Sequence, residues 1–148
     1  MEGAMSLDRL LLVRILLTLV TIGYSALTVK ADFNKTHATN PLWTGHARFH
    51  VVWQITSYVG FALIALVLVW SPGAYAQERL YLACAFAAVV YGAFFITLLS
   101  MPLYGGRAYD DNGYLPFAVA GMKWDANVTA FSLLTLFLVA SIALLLVG

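Results

Sequence analysis

All three histidines of this chain lie between Asp32 and His50, in the run Asp32-Phe33-Asn34-Lys35-Thr36-His37-Ala38-Thr39-Asn40-Pro41-Leu42-Trp43-Thr44-Gly45-His46-Ala47-Arg48-Phe49-His50. His46 and His50 stand four residues apart at an expected helix start, so both imidazoles project from one side of that helix. This is the usual spacing at which a helix offers two nitrogen ligands to one metal ion. His37 would supply a third nitrogen from the preceding loop, and Asp32 or Asp125 a carboxylate as ligand or base. Two or three histidines with a carboxylate suit Zn, Fe or Mn with a position left open for water or substrate. Asn34, Thr36, Asn40 and Gln54 are polar groups able to hold the imidazoles by hydrogen bonds, which metal-bound histidines generally need. Bis-histidine haem fits poorly, because two histidines one turn apart cannot take opposite axial positions on one macrocycle.

A second chemistry uses the same residues without a metal. Histidine titrates near neutrality. A base, an acid and an apolar pocket at a membrane boundary suffice to move protons on a lipid-like substrate. A third reading is structural: the histidines bond loop carbonyls, Asn40-Pro41 forms a turn, and Trp43, Trp70 and Trp124 sit in an interfacial belt. Asp110-Asp111-Asn112-Gly113 lacks the spaced ligands of a calcium loop and reads as a turn closed by Asn-Gly. Gly105-Gly106-Arg107 is too short for a phosphate loop.

The elements that must position these groups are apolar. The 148-residue chain is 62% hydrophobic and 10% charged, well above the share usual for soluble domains. A net charge of +1 argues against a nucleic-acid binder, which would need a basic patch. Cys84 is the single cysteine, so no intrachain disulfide forms, and its apolar setting suits a small buried hydrophobe. Four apolar runs are long enough to cross a bilayer, roughly 7–29, 46–70, 77–100 and 124–147. The first run is too long for a signal-peptide core and no small-residue cleavage site precedes Asp32, so it reads as a retained helix, with Arg14 close enough to its end to snorkel. Ser71-Pro72-Gly73 breaks the second run and Met101-Pro102 closes the third.

The predicted fold class is therefore all-α: an integral membrane four-helix bundle running up-down-up-down as one domain. Its two long loops, 30–45 and 101–123, then lie on one membrane face and carry most of the polar residues. Lys30, Lys35, Arg48, Arg107 and Lys123 fall on that side and Arg9, Arg14 and Arg79 on the other. The totals place the long loops in the cytoplasm, whereas the arginines flanking the first helix place the N-terminus there, so the orientation in a cell or inner membrane stays open. Polar seams lead toward the long-loop face: Thr18, Thr21, Ser25, Thr28 and Asp32 in the first span; His46, His50 and Gln54 in the second; Asp125, Thr129 and Ser132 in the fourth. Hydroxyls at such spacing also serve simply to let membrane helices pack.

The string Thr36-His37-x-x-Asn40-Pro41-x-Trp43-x-x-His46-Ala47-Arg48-Phe49-His50, with Asp32 and Asn34 ahead of it, resembles a family of small four-helix membrane proteins of uncharacterised function from bacteria and fungi. The layout is also loosely similar to the sterol-isomerase and sigma-2-receptor superfamily, which places acidic and polar side chains in a membrane cavity. Three functions are expected to compete. The first is a metal-dependent enzyme acting on a small hydrophobic or lipid-like substrate, with His37, His46 and His50 on the metal. The second is a metal-free isomerase or lipid-binding protein. The third is an accessory subunit of a larger membrane complex, or a homo-oligomer.

Overall fold

The structure, a computed structural model, describes residues 6–109, 112–113 and 115–147. Three helices begin where a short polar side chain takes up an orphan backbone N–H, as helix starts require. Ser6 accepts from Arg9 N ahead of α1 (Leu7–Ile22), and Thr44 accepts from Ala47 N ahead of α3 (Gly45–Trp70). Asp125 Oδ1 accepts from Val128 N at 2.9 Å ahead of α5 (Ala126–Leu146). α1 passes through a π-helical turn, Gly23–Leu27, into the short α2 (Thr28–Asp32), so the first long helix ends at Asp32 rather than at 29. α4 (Ala76–Tyr104) continues through Pro102. The break expected at Met101-Pro102 falls instead at Gly105, whose φ of 68° suits a glycine end-cap. Proline is tolerated there because it removes one bond in the last turn only.

Among the described residues four helices are long and apolar enough to cross a membrane: Leu7–Asp32, Gly45–Trp70, Ala76–Tyr104 and Ala126–Leu146. At 1.5 Å per residue even a helix of 21 residues reaches about 32 Å, the thickness of a bilayer's hydrocarbon core. α1 packs on α5 and α3, α3 on α4, and α4 on α5. The shared core holds Val13, Leu17, Val20, Tyr24, Leu80 and Tyr91, with Ala62, Ala65, Ala83, Cys84 and Ala87 on α3 and α4. Small residues there bring two helix backbones close without voids. Cys84 is buried among them as a small hydrophobe. The outward faces are equally apolar, with Leu63, Val67, Val89, Leu99 and Leu136 all more than half exposed.

The π-helical turn marks where α1 meets α4 and α5. The Tyr91 hydroxyl donates to Val20 O at 2.8 Å, and a Cβ added at Gly23 would lie 2.3 Å from Leu134 Cδ1 and 2.8 Å from Tyr91 Oη. A larger residue there would have to push both side-chain ends aside. The turn lies immediately before Thr28 and Asp32, and such turns often accompany functional sites.

The loop after α4 contains an element not expected from the sequence, a hairpin of β1 (Phe117–Val119) and β2 (Met122–Trp124). Its two-residue turn, Ala120-Gly121, has positive φ at both positions, 51° and 79°, as the tight hairpin turn compatible with strand twist demands. Trp124 accordingly ends a strand, and α5 starts at Ala126 rather than 124.

Candidate functional site

The loop from Phe33 to Thr44 is held by its own short polar side chains. Asn34 Nδ2 donates to the carbonyls of Lys30 at 3.0 Å and Ala31 at 2.8 Å, closing the end of α2. Asn34 Oδ1 accepts from Thr36 N at 2.8 Å and from the Thr36 hydroxyl at 2.7 Å. Asn40, fully buried, donates from Nδ2 to Thr36 O at 2.7 Å, while its Oδ1 accepts from Leu42 N at 3.0 Å. The same Oδ1 accepts from Asn112 Nδ2 at 3.0 Å, so one hydrogen bond ties the first long loop to the third.

This network determines which nitrogen of His37 carries the proton. The backbone N–H of Thr36 can only donate, so the atom of Asn34 it meets must be the oxygen. The single hydroxyl proton of Thr36 points to that oxygen, because two acceptors 2.7 Å apart would otherwise repel. Thr36 Oγ1 also lies 2.7 Å from His37 Nδ1, and with its proton committed it must accept there. Neutral His37 is therefore the Nδ1–H tautomer, and Nε2 is left as the basic nitrogen. Asp32 Oδ1 lies 3.6 Å from Nδ1, an opposite charge for the imidazolium formed when Nε2 takes a proton. Trp43 holds the ring from the side, edge to face, with centroids 5.1 Å apart.

Asp32 and His37 line a cavity of about 630 Å³, within the range that holds drug-sized ligands. Arg107 lines it from the loop after α4, Asn127 from the first turn of α5, and Gln54 and Tyr58 from α3. Gln54 Nε2 donates to the Tyr58 hydroxyl at 3.2 Å. The remaining wall is largely apolar, with Leu27, Val51, Phe94, Leu98 and Phe131. Thr28 and Asp32 complete the seam of the first helix; Thr21, Ser25 and Thr28 are buried along it.

The residues singled out from the sequence divide into two groups. His37 joins Asp32, with Asn34, Thr36 and Asn40 holding the loop around it. His46 and His50 form a separate exposed pair, Nε2 to Nε2 3.0 Å, and neither lines the cavity. Among the described residues no group of three or more His, Cys, Asp or Glu side chains is placed to hold one metal ion. Asp125 turns its carboxylate back onto Val128 N as a helix cap. Asp110 and Asp111 lie outside the described residues.

The division follows from helix geometry. Four residues advance an α-helix by about 400°, so a seam in steps of four drifts by about 40° each time. From His46 to Gln54 the drift is about 80°, and to Tyr58 about 120°. The outer end of the seam therefore faces away from the cavity that its inner end lines. Tyr58 and Asn127 were missed by the sequence reading; continuing the seam of α3 by one more step finds Tyr58. Trp43 packs on His37.

The fold and cavity define a class: a mostly helical protein with, among the described residues, four helices of membrane-spanning length and a polar-headed, largely apolar cavity at their loop ends. Residues 15–141 match the model of a family of unknown function, DUF6640. The chain belongs to that family. No curated protein and no solved structure matches it significantly.

Proposed function

We propose that this protein is an integral membrane protein, its four spans running up-down-up-down with both long loops on one face, that takes a small hydrophobic or lipid-like molecule into the cavity and moves a proton on it without a metal. The observation that carries this reading is the placement of Asp32 and His37 in the wall of a 630 Å³ cavity that is otherwise largely apolar. Its parts have distinct roles. The apolar wall takes the hydrocarbon body, whose transfer from bilayer to cavity changes hydrophobic energy little, so polar groups must provide the selectivity. Gln54, Tyr58, Arg107 and Asn127 offer donors to a polar head. His37 Nε2 removes a proton from one carbon of the ligand and returns it to another, with Asp32 facing the transient imidazolium. Such an isomerisation needs no oxidant, reductant or second substrate. The loose similarity of layout to the sterol-isomerase and sigma-2-receptor superfamily points the same way.

The test is lipid extraction and mass spectrometry of protein purified in mild detergent. A hydrophobic molecule should co-purify at about one per chain with the wild type and be lost from Ala130→Phe, which fills the cavity. In D₂O the bound molecule should gain deuterium on carbon with the wild type and not with His37→Asn. Equal recovery from the wild type and Ala130→Phe sinks the binding site, and deuterium gain unaffected by His37→Asn sinks the base.

A further inference from the structure

The cavity leaves two histidines unused. His46 and His50 are one turn apart on the exposed start of α3, with their ring planes at 86° and their Nε2 atoms 3.0 Å apart. Each ring stacks on an aromatic neighbour on the same helix. His46 lies over Phe49 at 12° between planes, and His50 over Trp53 at 28°. The pair therefore holds two facing nitrogens in a restricted orientation. In the neutral pair one Nε2 donates to the other, so one proton occupies the space between two lone pairs. A metal ion takes the place of that proton when the donor ring shifts to its Nδ1–H tautomer, so both rings stay neutral while rotations about the Cβ–Cγ bonds aim the two Nε2 lone pairs at the ion.

We infer that His46 and His50 form a two-nitrogen chelate for a divalent transition-metal ion of tetragonal preference, Cu(II) before Ni(II), separate from the Asp32–His37 cavity. The separation of the nitrogens selects the geometry. With metal–nitrogen bonds of about 2.0–2.1 Å, nitrogens 3.0 Å apart subtend about 91–97° at the ion. Square-planar and octahedral ions take neighbouring ligands near 90°, whereas a tetrahedral ion needs its nitrogens about 3.3–3.4 Å apart. At that spacing the pair fits Cu(II) or Ni(II) directly and a tetrahedral Zn(II) only after its nitrogens part by about 0.3–0.4 Å, and Cu(II) also leads the affinity order for nitrogen ligands. Two protein nitrogens leave the other equatorial positions to water or a small ligand, so the bound ion remains open to exchange. The positive end of the α3 dipole opposes a cation there, which sets a moderate affinity and favours a site that loads reversibly.

The experiment uses the full chain, freed of any polyhistidine tag, stripped of metal and held in mild detergent. CuCl₂, NiCl₂ and ZnCl₂ are titrated separately by calorimetry, and the Cu(II) form is read by electron paramagnetic resonance. One Cu(II) per chain is expected, with an axial spectrum split by two nitrogens, and Ni(II) binding more tightly than Zn(II). His46→Asn or His50→Asn alone should each weaken Cu(II) at least tenfold, and His37→Asn should leave it unchanged. Both histidines are exposed, and unchanged helicity and melting in each variant confirm that the fold is kept. Stoichiometric Cu(II) binding that survives in the His46→Asn, His50→Asn double variant overturns the assignment, as does its loss in His37→Asn. Tighter Zn(II) than Ni(II) binding overturns the tetragonal geometry. Since neither histidine lines the cavity, the proton-transfer reading stands or falls apart from these results.

Discussion

Asn40→Ala isolates what holds the loop that carries His37 in place. The side chain is fully buried and makes three hydrogen bonds, to Thr36 O, Leu42 N and Asn112 Nδ2. Leu42 and Asn112 are exposed, so water replaces the bonds they lose and each contributes little net. Thr36 is half-buried, and leaving its carbonyl unpaired costs about 1–3 kcal/mol. Taking about 2 kcal/mol as the sum, the opening equilibrium of the loop rises about 30-fold, at 1.4 kcal/mol per factor of ten. Hydrogen exchange read by mass spectrometry checks this directly. Amides of His37, Ala38, Thr39 and Trp43, which bond to carbonyls within the loop or at the end of α2, should exchange about 30-fold faster, while the interiors of α3, α4 and α5 keep their wild-type rates. Asn112→Ala removes one exposed partner only and should accelerate the same amides about 2–5-fold, from about 0.5–1 kcal/mol. An acceleration below threefold in Asn40→Ala, or one spread evenly over the helices, refutes the idea that Asn40 pins this loop.

Two further outcomes bear on the site. Thr36→Val removes the acceptor that selects the His37 tautomer, so ¹⁵N spectra should show a Nδ1–H imidazole in the wild type and a tautomer mixture in the variant; a single Nε2–H form in the wild type contradicts the hydrogen-bond argument. Asp125→Ala should lower stability by about 1 kcal/mol through loss of the α5 cap, read as a fall in melting temperature, while ligand binding and deuterium exchange stay at wild-type level. Abolished exchange in that variant would return Asp125 to the chemistry.

Four helices of spanning length were legible because about twenty consecutive apolar residues have few alternatives, and Ser71-Pro72-Gly73 punctuates them by local sterics alone. Asp32 with His37, and the supporting roles of Asn34, Thr36 and Asn40, were also within reach, because these contacts are mostly between residues two to five apart. The expected union of His37, His46, His50 and Asp125 was not. Whether a nitrogen six or more residues away, or a carboxylate from another helix, turns inward depends on helix rotation and packing, which spacing does not encode.

The opening stretch thus holds two separate histidine groups rather than one. Composition by itself determined the four apolar helices, and local polar spacing determined the loop that presents His37, since short side chains satisfy the nearest backbone groups whatever surrounds them. Only the tertiary structure decided the rest. The drift of a four-residue seam turned His46 and His50 outward while carrying Gln54 and Tyr58 into the cavity, and a backbone N–H beside the start of α5 claimed Asp125. The physical reason is distance: local hydrogen bonds are chosen along the chain, whereas a shared site is chosen by the angles at which whole helices meet.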